Sequence, residues 1–163
     1  MYSTTLDKHI AKYCKKFGIE NVFCDKEFAY YSEKEAISYT IFCYTTDETF
    51  INAVNEKYNV DITNFSFIFS LLHEIGHHMT IDELTEEDME NEIFARSIIP
   101  LLDDSERMEA YMNLTAEDLA TSWAIDYIDS HIEECIKVQK RFLKIIDHIY
   151  KKKSFKKVLT KLV

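Results

Sequence analysis

The sequence predicts an α+β domain that is mostly helical and carries one small antiparallel sheet. The 163-residue chain has only one proline and two glycines, which favours long helices over tight turns. Apolar residues recur at helical spacing along most of the chain. Strand-like runs rich in aromatic and β-branched residues are confined to residues 21–45. Together these patterns predict helices that surround one hairpin.

The first half of the chain contains the predicted sheet. An amphipathic helix over residues 3–17 should end at Gly18, because glycine is the common stop signal. Residues 28–31 and 37–44, separated by a polar run, predict a hairpin. Helices are predicted over 47–58 and 63–79 from apolar residues at helical spacing.

The second half of the chain is predicted to be helical throughout. A capping-type start at Thr85 opens a helix to about Ile99, which Pro100 ends. Further helices are predicted over 104–112, 115–128 and 131–150. Residues 1–150 are therefore expected to form a single domain, and 151–163 a basic, poorly anchored C-terminal tail.

Composition restricts the environment in which the protein works. Residues 1–8 show no apolar signal region, and no stretch reaches the roughly 18 apolar residues of a membrane span. The cysteines are scattered and form no Cys-x-x-Cys pair, which argues against a thiolate zinc site and fits reduced thiols. We expect a cytoplasmic protein with no membrane partner. The four cysteines are Cys14, Cys24, Cys43 and Cys135.

The net charge of −10 is unevenly distributed. Residues 1–136 hold 9 basic and 28 acidic side chains, whereas residues 137–163 hold 10 basic side chains and only Asp147 as an acid. A basic tail can bind nucleic acid or a membrane surface. It can equally be solvated or lie against the chain's own acidic part. Because no nucleic-acid motif accompanies it, we favour the latter and expect no direct nucleic-acid partner.

The motif that carries chemistry is His73-Glu74-Ile75-Gly76-His77. On a helix, positions i and i+4 share one face, so the two histidines can bind one Zn²⁺ ion. Glu74 is rotated by about a quarter turn, from where it can reach a water molecule as a general base.

The surroundings of the motif favour a metal site over a structural pair of histidines. Residues 65–72 are apolar nearly all round, as in a buried helix, so the ionisable groups at its end need partners or a metal. Gly76 lies inside the helix, where glycine costs about 1 kcal/mol relative to alanine. A close backbone approach would explain it.

A third metal ligand has to come from elsewhere in the chain, because catalytic zinc usually has three protein ligands and an open position. His78 points about 100° away from His77. A carboxylate is therefore expected. The candidates are the seven acids from Asp82 to Glu92, and Glu117, Asp118 and Asp126.

The chain resembles the glutamate zincins, most closely the small prophage-type metallopeptidases of the ImmA/IrrE-like family. In that family the His-Glu-x-x-His helix is followed by a Glu-x-x-Ala-Asn/Asp-x-Phe-Ala helix whose first Glu binds the metal. Residues 117–124 read EDLATSWA, so the resemblance implies Glu117 as the ligand. It covers roughly residues 20–130 and implies a zincin-like fold, with the sheet beside the motif helix. Glu90 is the alternative ligand.

Thr121 departs from the family pattern, which has Asn or Asp at this position to support a ligand histidine. A threonine hydroxyl can accept a hydrogen bond from an imidazole N–H but carries no charge. The chain therefore either binds metal less tightly or uses another acid, such as Asp126, for this support.

The predicted chemistry is hydrolysis of a peptide bond with one Zn²⁺ per chain, held by His73, His77 and Glu117, and with Glu74 as the base. Tyr127 and His78, and also His131, are candidate donors to the oxyanion. The strand within 36–45 is expected to bind an extended substrate at the sheet edge.

The resemblance implies an intracellular protein substrate, such as a repressor that controls phage or mobile-element genes. The alternative is a catalytically silent, metal-stabilised module that binds a protein partner. An intact Glu74 argues against this alternative, because a structural site needs no base. The sequence leaves the oligomeric state open.

Overall fold

A computed structural model describes residues 4–25, 28–40 and 48–159, with residues 4, 104, 105 and 152–159 described through their backbone alone. It is mostly helical with one three-stranded sheet, which confirms the α+β class. No helix among these residues has the length and apolar character needed to cross a membrane.

Seven α-helices account for most of the described residues. They are α1 Thr4–Cys14, α2 Glu48–Tyr58, α3 Ser66–Thr80, α4 Glu86–Ile98, α5 Asp104–Met112, α6 Thr115–Ser130 and α7 Ile132–Leu159. The strands are β1 Asn21–Cys24, β2 Ala29–Tyr31 and β3 Ala36–Tyr39.

The sheet is mixed rather than antiparallel, and this corrects the prediction. The predicted hairpin is present as β2 and β3, with Tyr30 opposite Ile37. β1 then lies parallel to β3, so that the strand order is β1-β3-β2. Because β2 occupies one side of β3, the strand that follows α1 pairs with the other side. The hairpin pattern predicts only the first of these pairings. Of the predicted strand 37–44, the part from residue 41 onward lies outside the described residues.

The motif helix α3 forms the centre of the core. Residues Phe67–Phe69 and Leu71–Gly76 are buried, so this part of the helix is enclosed on nearly all sides. It packs against α6, against α7 and against strands β2 and β3 of the sheet. The predicted burial of this helix is therefore confirmed, and the sheet does lie beside it.

The helix ends agree with most of the predicted signals. Gly18 ends the first helical segment with a φ of 86°, a left-handed conformation that glycine adopts at little cost. Thr85 and Asp88 form a reciprocal capping box before α4. Pro100 lies in the short 3-10 turn after α4.

One helix end differs clearly from the predictions. Helix α6 begins at Thr115 as predicted, after Leu114, whose side chain provides no cap. The backbone of α7 continues as helix to Leu159 instead of ending near residue 150. The run of lysines after residue 150 suits a helix, because lysine has a high helix propensity.

Candidate metal centre

The two motif histidines lie on the face of α3 that meets α6. His73 is 3% exposed and His77 is 16% exposed, and their ring centroids are 4.8 Å apart. Gly76 lies between them on the same helix. A Cβ atom at Gly76 would lie only 2.5 Å from the carbonyl oxygen of Ala120 on α6. The glycine therefore lets the backbone of α6 approach α3 closely, as its place in the motif predicted.

This close approach brings Glu117 to the histidines. Its Oε2 lies 3.1 Å from Nε2 of His73 and 3.4 Å from Nε2 of His77, and its side chain is 2% exposed. The three ligand atoms all lie within 4.8 Å of one another. Tetrahedral coordination with bonds of about 2.0–2.1 Å places ligand atoms roughly 3.3 Å apart. The distances from Glu117 to the two histidines are close to this value, so the three side chains could hold one metal ion.

Thr121 sets the orientation of His73. Its Oγ1 lies 3.2 Å from Nδ1 of His73, and both groups are buried. When Nδ1 carries the proton and donates it to the hydroxyl oxygen, Nε2 keeps a lone pair for a metal. Thr121 is thus placed to orient His73, although its hydroxyl carries no charge. Asp126 is exposed on α6.

The buried charges of the site shift one another's protonation. Burial alone would raise the pKa of Glu117, but hydrogen bonds and charge from His73 and His77 outweigh it and hold that pKa far below its usual range. Burial alone would lower the pKa of His77, but the hydrogen bond and charge of Glu117 raise it. Without a metal, a proton on His77 therefore compensates the buried carboxylate.

Two residues that the sequence did not identify also contact Glu117. Arg96 on α4 donates a hydrogen bond of 2.7 Å to its Oε1, the oxygen that faces away from the histidines. Tyr111 on α5 lies beside the same carboxylate. Burial, followed by the charge and a hydrogen bond of Glu117, raises the pKa of Tyr111. Arg96 was the only basic side chain in an acidic helix, a signal that could have drawn attention to it.

Glu74 is buried beside the three donors. Burial raises its pKa, while the charges of His73 and His77 and a hydrogen bond from the backbone N–H of Tyr30 act in the opposite direction. Tyr30 belongs to β2, the strand at the end of the sheet that faces α3. Strand β3 lies between β1 and β2, so the expectation that the strand in 36–45 forms the free edge is wrong.

The remaining sequence candidates lie away from the three donors. Glu90 is exposed on α4. Tyr127 stacks on Trp123 and on His131, and it lies ten residues beyond Glu117, about 15 Å along α6. His78 is on another face of α3, where its Nδ1 lies 2.9 Å from the hydroxyl of Tyr30.

The cluster therefore offers three donors for one divalent ion, a buried acid next to them and a tyrosine hydroxyl close by. That combination can bind a metal and move a proton beside it. Comparisons with protein-family models, with curated proteins and with solved structures find no match to this chain.

Proposed function

We propose that this protein is a zinc-dependent metallopeptidase that hydrolyses a peptide bond in another protein. The observation that carries the proposal is the convergence of His73, His77 and Glu117 with a fourth buried ionisable group, Glu74. A structural site needs only the ligands, whereas a hydrolytic site also needs a base. When bound, zinc would polarise the substrate carbonyl and promote ionisation of water.

Glu74 is proposed to accept a proton from the water molecule that attacks the substrate carbonyl. It then delivers this proton to the leaving amine. Its raised pKa supports this role, because a carboxyl group with a pKa above its ordinary value is a better base than an exposed one. The backbone N–H of Tyr30 holds the carboxyl group in place.

Tyr111 is the side chain that we propose as a hydrogen-bond donor to the oxyanion. Its hydroxyl lies beside Glu117, and its raised pKa keeps it protonated at neutral pH. It thereby replaces Tyr127 and His131, which lie at the far end of α6 and just after it, and His78, which faces Tyr30.

An extended substrate is proposed to lie along β2. In the described part of the chain β2 pairs with β3 alone, and its central residue Tyr30 already directs its N–H towards Glu74. A peptide added to this side would place its carbonyl groups near the proposed base.

The resemblance to the ImmA/IrrE-like peptidases supports the rest of the proposal. We propose a cytoplasmic protein substrate, such as a regulator of phage or mobile-element genes. No disulfide joins the three described cysteines, which is consistent with a reducing compartment.

The test compares the native chain with Glu74→Gln, each loaded with one equivalent of zinc. A mixture of proteome-derived peptides serves as the substrate, and mass spectrometry detects new termini. We expect cleavage by the native chain and a loss of at least about 100-fold in the variant with zinc still bound. Absence of cleavage by the zinc-loaded native chain, or equal cleavage by both, would contradict the proposal. A silent protein-binding module would show zinc binding without cleavage.

A further inference from the structure

The outer face of α4 exposes large apolar side chains that the candidate metal centre does not use. We define this face by Met89, Ile93 and Phe94 and by the acids Glu86, Glu87 and Glu90. Ile93 is 73% exposed and Phe94 is 68% exposed. Such side chains are costly to leave in water when they form a continuous patch, and they then commonly indicate an interaction surface.

The opposite side of α4 explains why these residues face outward. Asp88, Glu92 and Arg96 follow one another at intervals of four residues and therefore share a face. Arg96 binds Glu117, Glu92 accepts a hydrogen bond from the backbone N–H of Ala116, and Asp88 contacts the hydroxyl of Thr115. Helix α4 is thus fixed to the start of α6 by polar contacts, which leaves its apolar side chains on the outside.

The sequence contains a segment with the complementary chemistry. Residues 151–163 hold six lysines and no acid. Their apolar residues recur at i, i+3, i+4, i+7 and i+8, the stripe of an amphipathic helix. They are Phe155, Val158, Leu159, Leu162 and Val163. A helix of this kind could place its stripe on Ile93 and Phe94 and its lysines beside Glu86, Glu87 and Glu90.

The packing of the described part of α7 favours a contact between two molecules. Gln139 of α7 bonds Ile68 and Asn64, and Phe142 packs on Phe67, so α7 passes the beginning of α3. Helix α4 follows the other end of α3, about 22 Å away. Among the described residues, α7 packs mainly on α1, α3 and α6, whereas α4 packs mainly on α6, so a contact between the tail and α4 is placed between two molecules.

We infer that the C-terminal segment 151–163 of one copy of this chain binds the outer face of α4 on a second copy. This inference does not depend on the proposed peptidase function. The contact joins two different surfaces. A closed dimer therefore forms when each of two copies binds the tail of the other. The contact combines apolar burial with opposite charge, so it should weaken as salt increases.

Sedimentation velocity on full-length chains tests the inference. The face variant carries Ile93→Ser and Phe94→Ser, and the tail variant carries Phe155→Ser and Leu159→Ser. Ile132→Ser is the matched control, because Ile132 is similarly apolar and 48% exposed but lies at the start of α7. Circular dichroism verifies that each variant is folded.

We expect the native chain and Ile132→Ser to associate in a concentration-dependent manner at low salt. Each double variant should associate at least about tenfold more weakly. A mixture of the face and tail variants should form a one-to-one complex, because one retains an intact tail and the other an intact face. In 1 M NaCl the native association should weaken.

Three results would overturn the inference. The first is a native chain that stays monomeric at all concentrations, which would mean that the outer face of α4 does not bind a second copy. The second is a face variant that associates as strongly as the native chain. The third is a mixture of the two variants that forms no complex, because this excludes contact between the tail of one copy and the face of another.

Discussion

The distance between α3 and α6 is set at one residue pair, Gly76 and Ala120. A methyl group on Gly76 would lie 2.5 Å from the carbonyl oxygen of Ala120 and 2.9 Å from its Cα atom. Both atoms belong to the backbone of a buried helix, so they cannot move aside as a flexible side chain would. The same approach brings Glu117, about one turn before Ala120, and Thr121, the residue after it, to His73.

Gly76→Ala should destabilise the protein despite the better helix propensity of alanine. Propensity alone would stabilise an exposed helix by about 1 kcal/mol. Overpacking against the backbone of Ala120 should outweigh it, with a net loss of about 2 kcal/mol in the free energy of unfolding. Urea denaturation measures the effect, and Ser70→Ala on the same helix should change it by less than about 0.5 kcal/mol. Equal or greater stability of Gly76→Ala would mean that the helices are farther apart.

Glu117→Ala should remove the metal, whereas Glu90→Ala should not. Glu117 is buried against both histidines, and Glu90 is exposed on α4. Elemental analysis of each protein purified without added metal should give about one zinc per native chain and per Glu90→Ala chain. We expect little zinc in Glu117→Ala. Zinc loss in Glu90→Ala instead would move the third ligand to α4.

Thr121→Val should weaken zinc binding by about 10- to 100-fold while preserving the shape of the side chain. The substitution removes the oxygen that lies 3.2 Å from Nδ1 of His73, and such supporting contacts typically have effects of this size. Competition with a zinc chelator measures the affinity. Ser122→Ala, which removes the neighbouring hydroxyl on α6, serves as the control. Unchanged affinity in Thr121→Val would show that His73 is oriented by another group.

The metal-free protein should become less stable as the pH rises above 6.5 and through the raised pKa of His77. Burial acts to lower the pKa of His77 in the folded state, but the hydrogen bond and charge of Glu117 outweigh it, so that pKa is raised. Its stabilising proton is therefore fully bound below pH 6.5 and is lost as the pH rises through the folded-state pKa. One proton corresponds to a slope of at most about 1.4 kcal/mol per pH unit.

Chelator-treated protein unfolded in urea at several pH values gives this slope. His77→Gln should flatten it, because the titrating group is gone. Zinc affinity should instead rise over the same range, since the metal displaces the proton. A native slope of zero, or an unchanged slope in His77→Gln, would disagree with the arrangement described.

Tertiary contacts distinguish between the candidate third ligands that the sequence left open. The stretch from Asp82 to Glu92 is nearer to the motif along the chain, yet its acids lie on α4 or in the 3-10 turn before it, and Glu90 is exposed. Glu117 is 44 residues from His73 and reaches it only because α6 packs on α3 at Gly76. Tyr111 and Arg96 have no spacing rule that connects them to the motif, so only the packing of α5 and α4 identifies them.

The sequence by itself determined the local features of this protein. Helical spacing of apolar residues, the capping pair at Thr85 and the stop at Gly18 predict most helix ends, and positions i and i+4 place His73 and His77 on one face. The resemblance indicated Glu117, but only the packing of α6 on α3 brings it to the histidines. The parallel pairing of β1 and the places of Arg96 and Tyr111 beside Glu117 were decided by tertiary structure alone. These features depend on contacts between segments far apart in the chain, whose geometry is set by packing and not by local periodicity.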